Sequence, residues 1–277
     1  MKSFSPREIA TALDVSQASI KRWVDKGLIE AEKTAGGHRR ITLQALKSYL
    51  DANNKTLANP DILDLPHSSG RAKTKLKDSQ ATFSDDLRQC NDSRVRALIY
   101  DLFLSGTSCS QLFDELVKPA IKSIKLSFAS GEIDDFQEQR SLQICQRLLF
   151  GFEQYFKAPN QDAPHALLGT LSSDKNTLEI QMLEVCLREK GMRTEFLGSE
   201  LNPLSYQRAL KILKPQVLAL GFSVLSEQSL AELHVLEEFC YENQILFFLI
   251  TDLPVNVEEE FETIIPVPNF AAIDSFL

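Results

Sequence analysis

Four short runs near the C-terminus constrain the fold of this chain more than any other feature. They are Ala166-Leu167-Leu168-Gly169-Thr170-Leu171, Thr194-Glu195-Phe196-Leu197-Gly198, Val217-Leu218-Ala219-Leu220-Gly221-Phe222 and Ile245-Leu246-Phe247-Phe248-Leu249-Ile250. All are of strand length, and three are apolar almost throughout, so they need cover on both faces. Stretches of helical character follow at 176–190, 203–213 and 226–243. Strands of this kind alternating with helices build a doubly wound, flavodoxin-like parallel sheet, here over residues 161–277. Ligands of such sheets bind beyond the carboxyl ends of the strands.

Residues 85–160 carry a different rhythm. Leu98, Leu102 and Phe103, then Leu112, Phe113, Leu116, Val117 and Ile121, form apolar stripes at helical spacing. Ser105-Gly106-Thr107 and Ser130-Gly131 punctuate them, and Ile144, Leu148 and Phe152 recur every fourth residue in a last helix. That pattern suffices for a four-helix bundle. Before it, residues 55–84 contain Pro60, Pro66, Ser68-Ser69-Gly70 and a basic stretch at 71–77 without a periodic apolar face. The expectation there is a flexible basic linker.

The first 54 residues read as two short helices and a hairpin. Ser5-Pro6-Arg7-Glu8 has the cap, the proline and the acid of a capping box. Ser16 can cap a second helix, in which Ile20, Trp23 and Val24 face inward and Gln17, Ser19, Lys21, Arg22 and Lys26 lie largely outside. Trp23 reads as core rather than as a contact to a partner. Gly27 ends this helix, and Gly36-Gly37 makes the tight turn of a two-stranded wing before His38-Arg39-Arg40. Thr42 caps a third helix with Leu43, Leu46 and Leu50. Two helices of about two turns joined by a short break form a helix-turn-helix.

This block resembles the winged helix-turn-helix of the MerR and excisionase families in its Ser-Pro-Arg-Glu-Ile-Ala start, Ile20-Lys21-Arg22-Trp23, Gly27-Leu28-Ile29 and Gly36-Gly37-His38-Arg39-Arg40. The resemblance implies that the second helix enters the major groove of double-stranded DNA. Ser16, Gln17, Ser19, Lys21, Arg22 and Lys26 would then lie at bases and phosphates, with His38, Arg39 and Arg40 on the flanking backbone. Charge agrees: residues 1–80 hold 14 Lys/Arg against 9 Asp/Glu, while the whole chain has a net charge of −8. A basic head on an acidic body directs only the head to a polyanion.

The order of parts, MerR-like head, helical bundle and doubly wound domain, resembles the cobalamin-dependent light-sensing repressors of the CarH and LitR type. Their cofactor residues transfer incompletely. The family's acid, cobalt-ligating histidine and glycine after the first strand fall on Asp174, Asn176 and Glu179. The tryptophan and Glu-His of the bundle fall on Phe128, Glu138 and Gln139. Ser223 retains the serine after the third strand, and Thr251 with Asp252 replaces a glycine pair after the fourth. An amide is a poor cobalt ligand beside an imidazole nitrogen. The expectation is therefore no His-ligated cobalamin and no metal; corrin held without a histidine is the alternative.

Catalysis is not expected. His67, His165 and His234 are scattered, and there is no P-loop, G-x-G-x-x-G or G-x-S-x-G. Five dispersed cysteines without a C-x-x-C pair read as buried thiols of a reducing, cytoplasmic setting. No apolar run reaches the ~18 residues of a membrane span. The expected protein is a sequence-specific transcriptional regulator, homo-oligomeric because one winged head reads few bases. A protein-interaction switch that binds a partner through residues 85–277 is a further reading.

Overall fold

The computed structural model describes residues 2–71, 73–172, 174–253 and 256–276. The chain forms two compact units, residues 1–157 and 158–277.

The first unit opens with strand β1 (Ser3–Phe4), helix α1 (Pro6–Leu13) and helix α2 (Gln17–Asp25). Strands β2 (Glu32–Lys33) and β3 (Arg39–Thr42) and helix α3 (Leu43–Ala52) follow. The α1 capping box is present in full. The Glu8 N–H donates to Ser5 Oγ at 3.3 Å, and the Ser5 N–H donates to Glu8 Oε2 at 2.7 Å. These bonds hold the Glu8 carboxyl below its usual range, with Arg40 adding to the effect. Ser16 caps α2 through the Ser19 N–H at 3.1 Å, and Thr42 caps α3 through the Ala45 N–H at 3.1 Å. Ile9, Ile20, Ile29, Ile41, Leu46 and Leu50 fill the core between these helices. Trp23 stacks on Tyr49 with centroids 5.0 Å apart, the packing role expected for it. The three strands pair antiparallel in the order β1-β3-β2.

The segment expected to be a flexible linker is ordered. Leu57, Leu63 and Leu65 are buried, residues Pro60–Leu63 form a 3₁₀ turn, and the Gly70 N–H donates to Asp101 Oδ1 at 2.5 Å. Gly70 sits at φ +70°, where a Cβ would also meet Leu57 and Leu104 side chains at about 3 Å. Leucines at irregular spacing carry no periodic signal, yet the segment packs back on α1, with the Ala58 N–H on the Ala12 carbonyl at 2.8 Å, and forward on Asp101. Lys73 reaches Asp51 at 3.3 Å and Lys157 reaches Glu30 at 2.9 Å, tying head and bundle into one unit.

The bundle consists of α4 (Leu76–Arg88), α5 (Asp92–Leu104), a continuous rod from α6 (Cys109–Leu112) through a π-turn (Phe113–Val117) into α7 (Lys118–Ala129), and α8 (Asp135–Glu153). Its first helix therefore starts nine residues before the expected boundary at 85. The π-turn has a local cause. Pro119 has no N–H for the carbonyl of Glu115, and Gln80 Nε2 donates to that carbonyl instead, at 2.8 Å. Tyr100, Phe103 and Phe152 pack ring on ring in the centre.

The second unit holds β4 (His165–Thr170), α9 (Leu178–Glu189), β5 (Arg193–Phe196), α10 (Pro203–Leu213), β6 (Val217–Gly221), α11 (Glu227–Glu242), β7 (Leu246–Ile250), α12 (Val257–Glu260) and β8 (Ile264–Pro266). The sheet is parallel, in the order β5-β4-β6-β7-β8. This is the doubly wound domain anticipated from the four runs. The fifth strand, β8, is an addition: three residues ending in Pro266 give no strand signal, and proline is tolerated there because β8 is an edge. Leu167, Leu218, Leu220, Phe247 and Leu249 pack with Tyr206 and Leu210 of α10 and Leu233 and Leu236 of α11. The alternate residues Leu168, Ala219 and Phe248 are equally buried, as a sheet covered on both faces requires.

Candidate functional site

The exposed side of α2 follows from its register. Ile20 is buried and Trp23 packs on Tyr49, so Gln17, Lys21, Arg22 and Asp25 are left in solvent. Ser16 is exposed and acts as the cap, while Ser19 is half-buried, its N–H held by Ser16 Oγ and its hydroxyl 3.0 Å from that same atom. Lys26 stands exposed just past the helix, its N–H on the Arg22 carbonyl at 3.0 Å.

The β2–β3 hairpin turns at Gly37, φ +76°, with the Thr34 N–H on the His38 carbonyl at 2.9 Å. His38 is exposed at this turn. The arginines after it are not free cations, as the sequence pattern had implied. Arg39 is paired with Asp25 at the end of α2, and Arg40 Nη1 lies 3.9 Å from Glu8 Oε2. Two acids therefore sit within the basic surface: Glu8, expected only as part of the capping box, and Asp25, which sequence reasoning overlooked. Asp25 was legible in principle, being eight residues after Gln17 and so on the same helical face. Its pairing with Arg39 joins hairpin to helix, and only the folded chain brings them together.

At the carboxyl end of the sheet, Asp174 is buried and its carboxylate is fully engaged. Oδ2 accepts from the Ser223 N–H at 2.6 Å; Oδ1 accepts from the Ser223 hydroxyl at 2.7 Å and the Asn176 N–H at 2.9 Å. Thr170 Oγ1 donates to the Asp174 carbonyl and accepts from the Glu200 N–H at 3.2 Å. Tyr206 was not singled out from sequence. Its hydroxyl donates to the Thr170 carbonyl at 3.0 Å and stands where a Cβ on Gly169 would be, 2.2 Å away. Burial pushes the Tyr206 phenol well above its ordinary range. Asn176 and Glu179 are half-buried, and Thr251 Oγ1 accepts from the Leu253 N–H at 3.0 Å.

The residues of the first unit aligned with the family's upper face are Phe128 near the end of α7, partly exposed, and Glu138 and Gln139 in the first turns of α8. Glu138 is half-buried and Gln139 is exposed. Among the described residues no group of three or more His, Cys, Asp or Glu could hold a metal ion, and no helix is long and apolar enough to cross a membrane.

These donors do not fit a histidine-ligated corrin. Asn176 offers an amide and not an imidazole nitrogen, the Asp174 carboxylate serves the chain's own backbone and Ser223, and the space over Gly169 holds the Tyr206 hydroxyl.

Residues 3–54 match the model of a helix-turn-helix domain family. No curated protein matches the chain. Among solved structures, the chain is similar to the monomethylamine corrinoid protein of Methanosarcina barkeri, with a TM-score of 0.56 and 14% identity over 73% of this chain and 98% of that one. A cobalamin-binding protein from Desulfitobacterium hafniense DCB-2 matches at TM-score 0.37 and 13% identity, over 70% of this chain and 95% of that one. The methanol:cobalamin methyltransferase complex of Methanosarcina barkeri matches at TM-score 0.39 and 13% identity, over 81% and 87%. The chain thus carries a helix-turn-helix domain at its N-terminus, and its remaining architecture is a helical bundle with a parallel-sheet domain of the kind found in corrinoid proteins.

Proposed function

We propose that the protein is a sequence-specific DNA-binding transcriptional regulator of the MerR type, and not an enzyme. The observation that carries this reading is the solvent face of α2. Gln17, Lys21 and Arg22 project from a capped helix of a helix-turn-helix domain, with Lys26 and the hairpin cations beside them. A helix presented in this way suits the major groove, and cations at its edge suit phosphates. The bundle and sheet then form an oligomerisation or signal-receiving module of CarH/LitR ancestry that works without His-ligated cobalamin. Double-stranded DNA is the partner, read by more than one copy.

The test is selection of bound sequences from a random duplex library, followed by fluorescence anisotropy with the enriched site. Enrichment of one motif, with Arg22→Ala weakening binding to it at least tenfold, is the expected result. Absence of enrichment, or equal affinity of the variant, overturns the groove assignment.

A second reading is a photoreceptor that holds cobalamin without a histidine. The corrinoid-type fold together with Asp174 and Ser223 at the family's positions favours it. Incubation with adenosylcobalamin in the dark, then gel filtration, separates the two readings. A colourless protein supports the first, and retained corrin colour that changes on illumination supports the second.

A further inference from the structure

Helices α10 and α11 lie side by side on the sheet, with Lys211 Nζ over the Phe239 ring at 5.4 Å. Their inner sides are buried through Tyr206, Leu210, Leu233 and Leu236. Their outer sides are not covered. Leu204, Arg208, Lys211 and Ile212 repeat at helical spacing along one, and Val235, Glu238, Tyr241 and Glu242 along the other. Ile212 is 77% exposed, Tyr241 71%, Leu204 54% and Val235 46%. Singly exposed apolar side chains are ordinary, but four large ones on one helix pair mark a contact surface.

The charges on this surface are sorted by helix. α10 contains Arg208 and Lys211 and no acid; α11 contains five glutamates and no lysine or arginine. Among the described residues, Arg208, Glu238 and Glu242 have no ion-pair partner within the chain. A face with a basic apolar stripe beside an acidic apolar stripe is complementary to itself. A two-fold axis running along the helices sets α10 of one copy on α11 of another, so that cations meet anions twice and the apolar residues are enclosed.

We propose that the α10/α11 face is the docking surface for a second copy of this chain. Sorted charge argues for a self-association, since an unrelated partner needs no such match between two neighbouring helices. The proposal rests on the self-association in the DNA-binding reading and names its surface; it is measured without DNA, so loss of association and loss of sequence enrichment are distinct failures.

The experiment is sedimentation velocity on the full chain. It compares wild type, Arg208→Glu/Lys211→Glu, Glu238→Lys/Glu242→Lys, and an equimolar mixture of the two variants. All substitutions lie on the solvent side, and circular dichroism verifies folding. Wild type is expected to associate in the range of roughly 1–100 μM typical of modest interfaces. Each variant alone should dissociate at least about tenfold more readily because like charges then face each other. The mixture should recover association, since reversed and native charges pair again in the mixed dimer. A monomeric wild type, variants that associate like wild type, or a mixture that stays dissociated overturns the proposal; the first of these outcomes leaves the face to a different protein.

Discussion

Asp174 and Ser223 are joined twice, the serine N–H and hydroxyl each donating to a different oxygen of the buried carboxylate. The pair ties the segment after β4 to the segment after β6, across the crevice where sheets of this topology hold ligands. The chain's own groups thereby satisfy this buried acid.

Replacing this acid tests what the tie contributes. In Asp174→Asn, an amide NH2 must face one of three donors, and at least one charge-assisted bond is lost. The expected destabilisation is about 1.5–3 kcal/mol, read as a lower urea midpoint by far-UV circular dichroism. An unchanged midpoint would show that solvent substitutes for these bonds.

The close approach of Tyr206 to Gly169 makes a coupled prediction. Gly169→Ala places a methyl 2.2 Å from the phenolic oxygen of the fully buried Tyr206 and 2.8 Å from the carbonyl of the half-buried Gly198. A loss of about 1–3 kcal/mol or more is expected. Adding Tyr206→Phe removes the nearer atom, so the double variant should be less destabilised than the sum of the singles. Strict additivity in thermal denaturation would contradict the contact.

Asp25 holds Arg39 at the edge of the α2 surface. Asp25→Asn removes an anion from that surface and releases a cation. DNA affinity should rise, and the slope of log K against log salt should steepen by about one unit as one more phosphate is engaged. Anisotropy titrations at several salt concentrations measure both. An unchanged slope would mean that Arg39 stays away from the backbone.

Four of the five cysteines, Cys109, Cys145, Cys186 and Cys240, are buried, and Cys90 is half-buried. Burial pushes the Cys145 and Cys240 thiols up to about 12. A thiol reagent at neutral pH should therefore label Cys90 first in the native protein and the other four only on unfolding, as peptide mass mapping would show. The same groups predict alkaline sensitivity. The folded chain keeps protons that the unfolded chain releases near the ordinary thiol value of 9.0, so stability is fully present below that pH and declines as pH rises toward 12. A denaturation midpoint constant from pH 8 to 11 would contradict this.

Much of the architecture was legible because its signals are local. Ser5, Ser16 and Thr42 cap helices within three residues of themselves, Gly37 turns its own hairpin, and β4, β6 and β7 are apolar on both faces over consecutive positions. What failed was non-local. Residues 57–70 looked like a tether because Leu57, Leu63 and Leu65 have no period, and the order of the segment depends on partners 31 positions away at Asp101 and 48 away at Thr11. β8 escaped notice because an edge strand of three residues borrows its order from β7.

The candidate sites divide in the same way. Residue identity and helical period alone placed Gln17, Lys21 and Arg22 in solvent, because that follows from positions along one chain segment. Tertiary structure alone decided that Arg39 answers to Asp25, that Asp174 is spent on Ser223, and that Tyr206 fills the space over Gly169. Each of those joins residues 14 to 49 positions apart, and a charge or hydroxyl finds its partner by distance in space, which no local pattern encodes.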